Sequence, residues 1–281
     1  MAPTPSGFLH IGNAANLLIT SWLVRDGLLA LRIDDMDTPR VRDAYLRDVF
    51  DVLAWLGIEW SAGPRDPADH AAHHRMSLHT HRYRAGLQEL VDGGVDVFAC
   101  ICSRADLAGS RTCVSDCRSA RRSLVAGESA LRAALPNAVV EVDRARVDLQ
   151  AAHGDVVLWR RDDLPAYHLV TVLEDCDLGT TDVVRGMDLL ESSALHLWLA
   201  QHLPGAHPIV YRHHGLVPGP MGMKLSKSQG SATPMPRTDE NLQLARRLAR
   251  DLADPLGITP PDDLPTGTGD LRPHRGAGES S

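Results

Sequence analysis

Four of the five cysteines fall between positions 100 and 117, as Cys100-x-Cys102, then ten residues, then Cys113-x3-Cys117. Four thiolates in two short-spaced pairs can close a tetrahedron around zinc, the geometry of a structural site with no open position for water. Disulfides and chance clustering of buried cysteines are the competing readings of this spacing. The chain starts without a basic stretch followed by an apolar one, so a secreted disulfide framework is the weaker reading. Cys176 stands apart and reads as a packed residue.

Two further constellations suit phosphate. Pro3-Thr4-Pro5-Ser6-Gly7-Phe8-Leu9-His10-Ile11-Gly12-Asn13 combines a rigid proline turn with glycines just where a helical pattern begins. A helix start offers unpaired N–H groups and a positive dipole end, and His10 and Asn13 add side-chain donors beside it. The plain alternative is a proline–glycine loop before an ordinary helix. Lys224-Leu225-Ser226-Lys227-Ser228 lies in a loop with Gly219, Gly222 and Gly230. Two lysines on a glycine-rich loop can close on a triphosphate and neutralise charge developing at phosphorus. Taken alone, this segment is equally a solvated basic turn.

These groups need elements to position them. Apolar spacing predicts helices from Asn13 to about Arg25, Asp43 to Leu56, Ser77 to Val91 and Asp188 to Leu203, with another starting at Thr238. Gly27–Ile33 is a short apolar run, and Val97–Ala99, Ala138–Val142, Asp155–Trp159 and Ala166–Leu173 read as strands. The alternation predicts an α/β protein with a Rossmann-like parallel sheet and an inserted zinc-bearing subdomain. The expected organisation is 1–95 for the first half of the core, 96–154 for the insertion and 155–215 for the second half. Residues 216–254 carry the lysine loop and a helix, and 255–281, rich in proline and glycine, read as a disordered tail.

The 281 residues carry a net charge of −7, which argues against bulk electrostatic binding of nucleic acid. No apolar run is long enough to span a membrane, so a cytoplasmic protein without a membrane partner is expected. Arg104, Arg111, Arg118, Arg121 and Arg122 around the cysteines read equally as RNA-phosphate contacts or a solvated face. His70, His73, His74, His79 and His81 form a patch whose mixed spacing favours an exposed loop over a metal site.

In combination, the two phosphate motifs resemble the HIGH and KMSKS elements of class I aminoacyl-tRNA synthetases, here HIGN and KLSKS, in the right order. Arg32-Ile33-Asp34-Asp35-Met36-Asp37-Thr38-Pro39-Arg40 resembles a segment of the glutamyl group. Tyr167-His168-Leu169 and Asp182-Val183-Val184-Arg185-Gly186 resemble that group's later amino-acid-site segments. The likeness covers most of residues 2–230.

The resemblance implies a ligase that forms an aminoacyl-adenylate from ATP and glutamate, then passes the amino acid to an acceptor. His10 and Asn13 would hold the ATP phosphates, with Lys227 and, in support, Lys224 stabilising the transition state. Magnesium would arrive with ATP rather than sit in a protein cage. Tyr167 and Arg185 would contact the amino-acid side chain, Asp34 its ammonium, and Ala2 and Thr4 complete the substrate-binding set. Short members of the group carry a similar zinc site, usually with tyrosine at the third position, where this chain has Cys113.

Only residues 229–281 follow the KLSKS loop, too few for an ordinary anticodon-binding domain. That layout resembles the short members that attach glutamate to the queuosine base of tRNA(Asp), and a monomer is expected. Competing expectations are a paralogue that loads a small molecule or carrier protein, and a degenerate, non-catalytic relative. The group's arginine before Ala-Pro has no counterpart ahead of Met1-Ala2-Pro3, which predicts a natural start upstream. Position 34 is Asp where the group has Glu, and Ala14-Ala15-Asn16 lacks the basic residue often found after the first motif.

Overall fold

The computed structural model describes residues 1–24, 27–36, 39–217 and 233–261. It divides into two compact units, one of Met1–Ile33, Pro39–Ala71 and Val217–Ser281, the other of Asp34–Thr38 and Ala72–Leu216. In chain order the described helices and strands begin α1 (Ile11–Leu23), α2 (Asp43–Leu56), α3 (Pro67–Asp69), α4 (Thr80–Asp92), β1 (Val97–Cys100) and α5 (Arg104–Leu107). They continue β2 (Ala130–Ala134), β3 (Val139–Val142), β4 (Ala145–Asp148), α6 (Leu149–His153), β5 (Asp155–Trp159) and α7 (Tyr167–Asp177). The last are β6 (Asp182–Gly186), α8 (Leu190–Ala200), β7 (Val210–His214) and α9 (Asp239–Ala253).

In the first unit α1 packs on α9, and Ala14, Ala15, Ala245 and Ala249 are all fully buried. Small residues on both helices permit close backbone approach. Helix α2 spans the expected residues, and it ends because Gly57 takes the left-handed conformation and returns its N–H to Leu53 and Ala54. Ala30 forms a parallel bridge with Ala62, and the backbone of Met1 bonds to Ala30 and Arg32 on the other side. Gly63 lies over this pairing at φ 102°, where a Cβ would collide with the Leu31 carbonyl. The 27–33 run is thus extended and paired on both sides, although only by isolated bonds. Thr238 caps α9 through Asn241 N–H, and the chain then closes in a 3-10 turn at Asp254–Leu256 with Ile258 buried. Residues 262–281 lie outside the described residues.

The second unit has a core of Tyr83, Leu90, Leu149, Leu158, Trp159, Leu169, Leu173, Leu195 and Leu199, drawn from α4, α6, β5, α7 and α8. Strands β1, β2 and β5 form an antiparallel sheet in that order, β3 and β4 form a hairpin, and β6 pairs in parallel with β7. Among the described residues, parallel pairing is therefore confined to β6–β7 and the Ala30–Ala62 bridge.

One expected strand is a helix. Residues 166–173 read as a strand because Val170, Thr171 and Val172 favour that state, yet from Tyr167 on they lie in α7, with Leu169–Leu173 all buried. Burial on nearly every side removes the amphipathic period that would mark a helix, and tertiary packing overrides the local preference. Strand β2 was hidden for the opposite reason. Its sequence ALRAA favours a helix, and only pairing to β1 and β5 makes it extended.

Candidate functional site

In the first unit His10 and Asn13 build the start of α1 together. His10 Nδ1 accepts from the N–H groups of Gly12 (3.1 Å) and Asn13 (3.3 Å), and Asn13 Oδ1 accepts from His10 N–H (3.0 Å). This reciprocal cap occupies Nδ1 as an acceptor, which places the ring proton of a neutral His10 on Nε2. A side chain at Gly12 would press on the imidazole at 3.1 Å, so glycine is needed for the cap itself. The expectation that the first-turn amides serve phosphate is narrowed here, because Gly12 and Asn13 N–H already have partners. Ala2 is exposed and Thr4 half-buried along the same loop.

A residue overlooked at the level of sequence holds this loop. Asp48 on α2 is buried, and its carboxylate accepts from Leu9 N–H (2.7 Å) and from Arg237 (2.7 Å). Burial raises the Asp48 carboxyl above its ordinary value, against the opposing pull of the Leu9 N–H and Arg237. The only sequence signal was a charged residue inside the apolar stripe of a helix. Lys224 and Lys227, with Asp37 and Thr38, lie outside the described residues.

In the second unit Arg185 is 8% exposed on β6, and its guanidinium lies 4.5 Å over the Tyr211 ring. Its Nη1 is buried and has no partner among the described residues. The groups beside it are kept neutral. Burial, then the charges of His153 and Arg185, push His168 down to about 4, and burial also lowers His213. His168 Nδ1 lies 3.1 Å from His196 Nε2, and Tyr167, on the exposed start of α7, has ring contacts with both histidines. Asp34 is half-buried, and its neighbour Asp35 accepts from Met76 N–H (3.0 Å).

The four cysteines converge, all four sulfurs lying within 4.8 Å of one another. The Sγ separations are 3.7 Å for Cys100–Cys113, 3.7 Å for Cys102–Cys113 and 4.0 Å for Cys102–Cys117. Sulfurs about 2.3 Å from a central zinc lie roughly 3.8 Å apart at the corners of a tetrahedron, so the donor set fits the ion. Phe98, Ala134 and Leu107 shield the cluster on its apolar side. Asp155 accepts from Cys113 N–H (2.6 Å), and Arg161 donates to the Ile101 (2.8 Å) and Cys102 (3.1 Å) carbonyls, fixing both knuckles. The hydrogen bond to Ser115 lowers the Cys102 thiol to about 7, while burial raises Cys100 and pushes Cys113 up to about 12.

The surrounding arginines are exposed, and most of them pair with neighbouring groups. Arg118 and Arg121 share Asp96 (2.7 and 3.2 Å), Arg122 reaches Asp116 (3.4 Å), and Arg111 bonds to carbonyls of α6. Of the histidine patch, His70 is buried while His73 and His81 are exposed, and the cysteines are the one converging ligand group among the described residues. Cys176 is partly buried against the core, which raises its thiol to about 11. No helix among the described residues is long and apolar enough to cross a membrane.

Residues 1–244 match the family model for the catalytic domain of class I tRNA synthetases (E and Q). A protein of Methylococcus capsulatus named glutamyl-Q tRNA(Asp) synthetase is 37% identical over 238 residues, covering 82% of this chain and 75% of that protein. A protein of the same name from Geobacter sulfurreducens is 34% identical, covering 95% of this chain and 87% of its own length. The crystal structure of glutamate-tRNA synthetase from Elizabethkingia anophelis shares the fold, with a TM-score of 0.65 and 24% identity over 84% of this chain. The match spans 53% of that longer synthetase. The HIGN loop, the Arg185 strand and the cysteine cluster thus sit on a class I synthetase fold with a Rossmann-like core, and the chain belongs to the class I tRNA synthetase family (E and Q), a family of ligases.

Proposed function

We propose that the chain activates glutamate with ATP and passes the glutamyl group to the queuosine base of tRNA(Asp). The observation that carries the glutamate reading is Arg185, a buried cation whose neighbours among the described residues are an aromatic face and neutral histidines rather than a paired carboxylate. A buried guanidinium without an anion is costly, and a side-chain carboxylate matches its fork. The acceptor reading rests on the relatives, several of which are named glutamyl-Q tRNA(Asp) synthetase.

In the first step a carboxylate oxygen of glutamate attacks the α-phosphorus of ATP, and pyrophosphate leaves. The substrate is its own nucleophile, so the protein's task is orientation and charge stabilisation. With Nδ1 engaged in the cap, His10 offers Nε2–H and Asn13 its side-chain Nδ2–H to the phosphates. Lys227, supported by Lys224, neutralises charge at the α-phosphorus, while Asp34 faces the substrate ammonium and Tyr167 joins Arg185 at the side chain. Ala2 and Thr4 complete the proposed substrate-binding set. Cys100, Cys102, Cys113 and Cys117 would hold a structural zinc, since four thiolates leave no coordination position for a reacting group. The domain organisation read from the sequence, with 96–154 as the insertion, belongs to this proposal, as does a monomeric, cytoplasmic enzyme.

The test is ATP–pyrophosphate exchange with each protein amino acid, followed by transfer of labelled glutamate to tRNA(Asp) carrying queuosine or guanosine. Glutamate-dependent exchange without tRNA, and labelling of the queuosine form alone, is the expected result. Exchange with a different amino acid, or transfer only to a small molecule or carrier protein, would establish the paralogue instead. Absence of all exchange would leave a non-catalytic relative.

A further inference from the structure

Behind Arg185 lies a chain of hydrogen bonds that the reaction outlined above does not use. Ser193 Oγ on α8 is 2.7 Å from His213 Nε2 on β7, and His213 Nδ1 is 3.0 Å from Asp143 Oδ2. The same Asp143 oxygen also accepts from the backbone N–H of His213 at 2.5 Å. Asp143 is at the tip of the β3–β4 hairpin, where it and Arg144 both take positive φ, 46° and 66°. Two such residues in a two-residue turn match the right-handed twist of the strands, so the tip is a rigid mount rather than a loose loop.

The order Ser–His–Asp is that of a hydrolytic triad, but Ser193 and the His213 side chain are 0% exposed. No substrate can reach that hydroxyl, so the set is not a nucleophile. Its chemistry is that of a clamp. With His213 neutral through burial, the carboxylate selects the tautomer with the proton on Nδ1, leaving Nε2 to accept from Ser193. One aspartate thereby fixes the backbone and the ring of one residue, and that residue fixes α8.

The clamped residue is the register partner of the arginine. In the parallel β6–β7 pair Arg185 lies opposite His213 and Val183 opposite Tyr211. The Tyr211 and His213 rings are stacked, 6.3 Å apart and 21° from coplanar, and the Arg185 guanidinium lies over Tyr211. Among the described residues Arg185 has no acceptor to hold it, so its position depends on β7 staying in place. We propose that Asp143 is a positioning residue for amino-acid recognition, holding β7 through His213 so that Tyr211 presents the Arg185 guanidinium to the substrate carboxylate. This rests on the reading of Arg185 given above.

The test compares KM for glutamate, KM for ATP and kcat in pyrophosphate exchange for Arg185→Lys, Asp143→Ala, Asp143→Asn, His213→Ala and the double Asp143→Ala/His213→Ala. Asp143→Ala is expected to raise the glutamate KM about tenfold while the ATP KM stays within about twofold. The double variant should be no worse than the worse single, because both remove one clamp. Asp143→Asn keeps an acceptor and loses the charge, so it should show a smaller rise, again for glutamate alone, and it carries the test if the alanine variant fails to fold. Equal movement of both KM values, or additive single effects, would overturn the clamp. A large Arg185→Lys effect with an unmoved Asp143→Ala enzyme would overturn the clamp alone. An Arg185→Lys enzyme with wild-type glutamate KM would overturn the reading of Arg185 itself.

Discussion

The cysteine cluster and the surroundings of Arg185 are assembled in opposite ways. All four thiols come from residues 100–117, in two short knuckles braced by Asp155 and Arg161. The surroundings of Arg185 draw on Asp143, His168, Ser193, Tyr211 and His213, spread over four separate elements and turns. A metal site can be encoded locally because the ion supplies the free energy that gathers its ligands. An anion pocket has no such organiser before its ligand arrives, so it must inherit its geometry from strands and helices that are already packed.

That contrast is most easily broken at the metal. One zinc per chain is expected by elemental analysis, falling to none in Cys102→Ser/Cys117→Ser. The loss should loosen the segment around β1, α5 and β2 to limited proteolysis and weaken acceptor transfer more than adenylate formation. Zinc content undiminished in the double variant would remove these thiols from the site.

Arg185→Ala tests the other side. Two charge-assisted hydrogen bonds at about 1.5–3 kcal/mol each correspond to a rise of at least roughly a hundredfold in the glutamate KM. Zinc content and the ATP KM should remain those of the wild type, since the two sites share no ligand. A parallel fall in zinc would show that the regions are not independent.

The smallest effect is a pH dependence confined to the arginine side. His168 binds a proton at pH 6.5 when unfolded but only at about 4 when folded, because burial disfavours its charged form. Between those values the unfolded state holds the extra proton, so stability is complete above about 6.5 and declines as the pH falls towards 4. The loss should be on the order of 2 kcal/mol, local water entry relieving part of the burial. Urea unfolding of His168→Gln across this range should show a shallower decline than wild type. An unchanged pH slope in that variant would assign the acid sensitivity to other groups, such as His213.

Much of the fold could be read residue by residue. The α2 limits followed from an apolar stripe, the start of α9 from a threonine cap, and the start of α1, to within two residues, from His10-Ile11-Gly12-Asn13. Where reading failed, burial or pairing had replaced the local signal, as in α7, buried on most of its surface, and in β2, an alanine-rich strand. Asp48 was missed because a lone aspartate in a helix carries no mark of the amide it will accept from 39 residues away.

By itself the sequence determined the grouping of the four cysteines, the HIGN and KLSKS motifs and their order, and the family these imply. All of these depend on residues near one another along the chain, where spacing alone limits geometry. Tertiary structure alone decided that His10 spends Nδ1 on its own helix, that Asp48 and Arg237 brace that loop, and that Arg185 is buried among neutral histidines. It alone brought Asp143 to His213, 70 residues apart. Hydrogen-bond partners and desolvation are properties of surroundings in space, and only the packed chain supplies those surroundings.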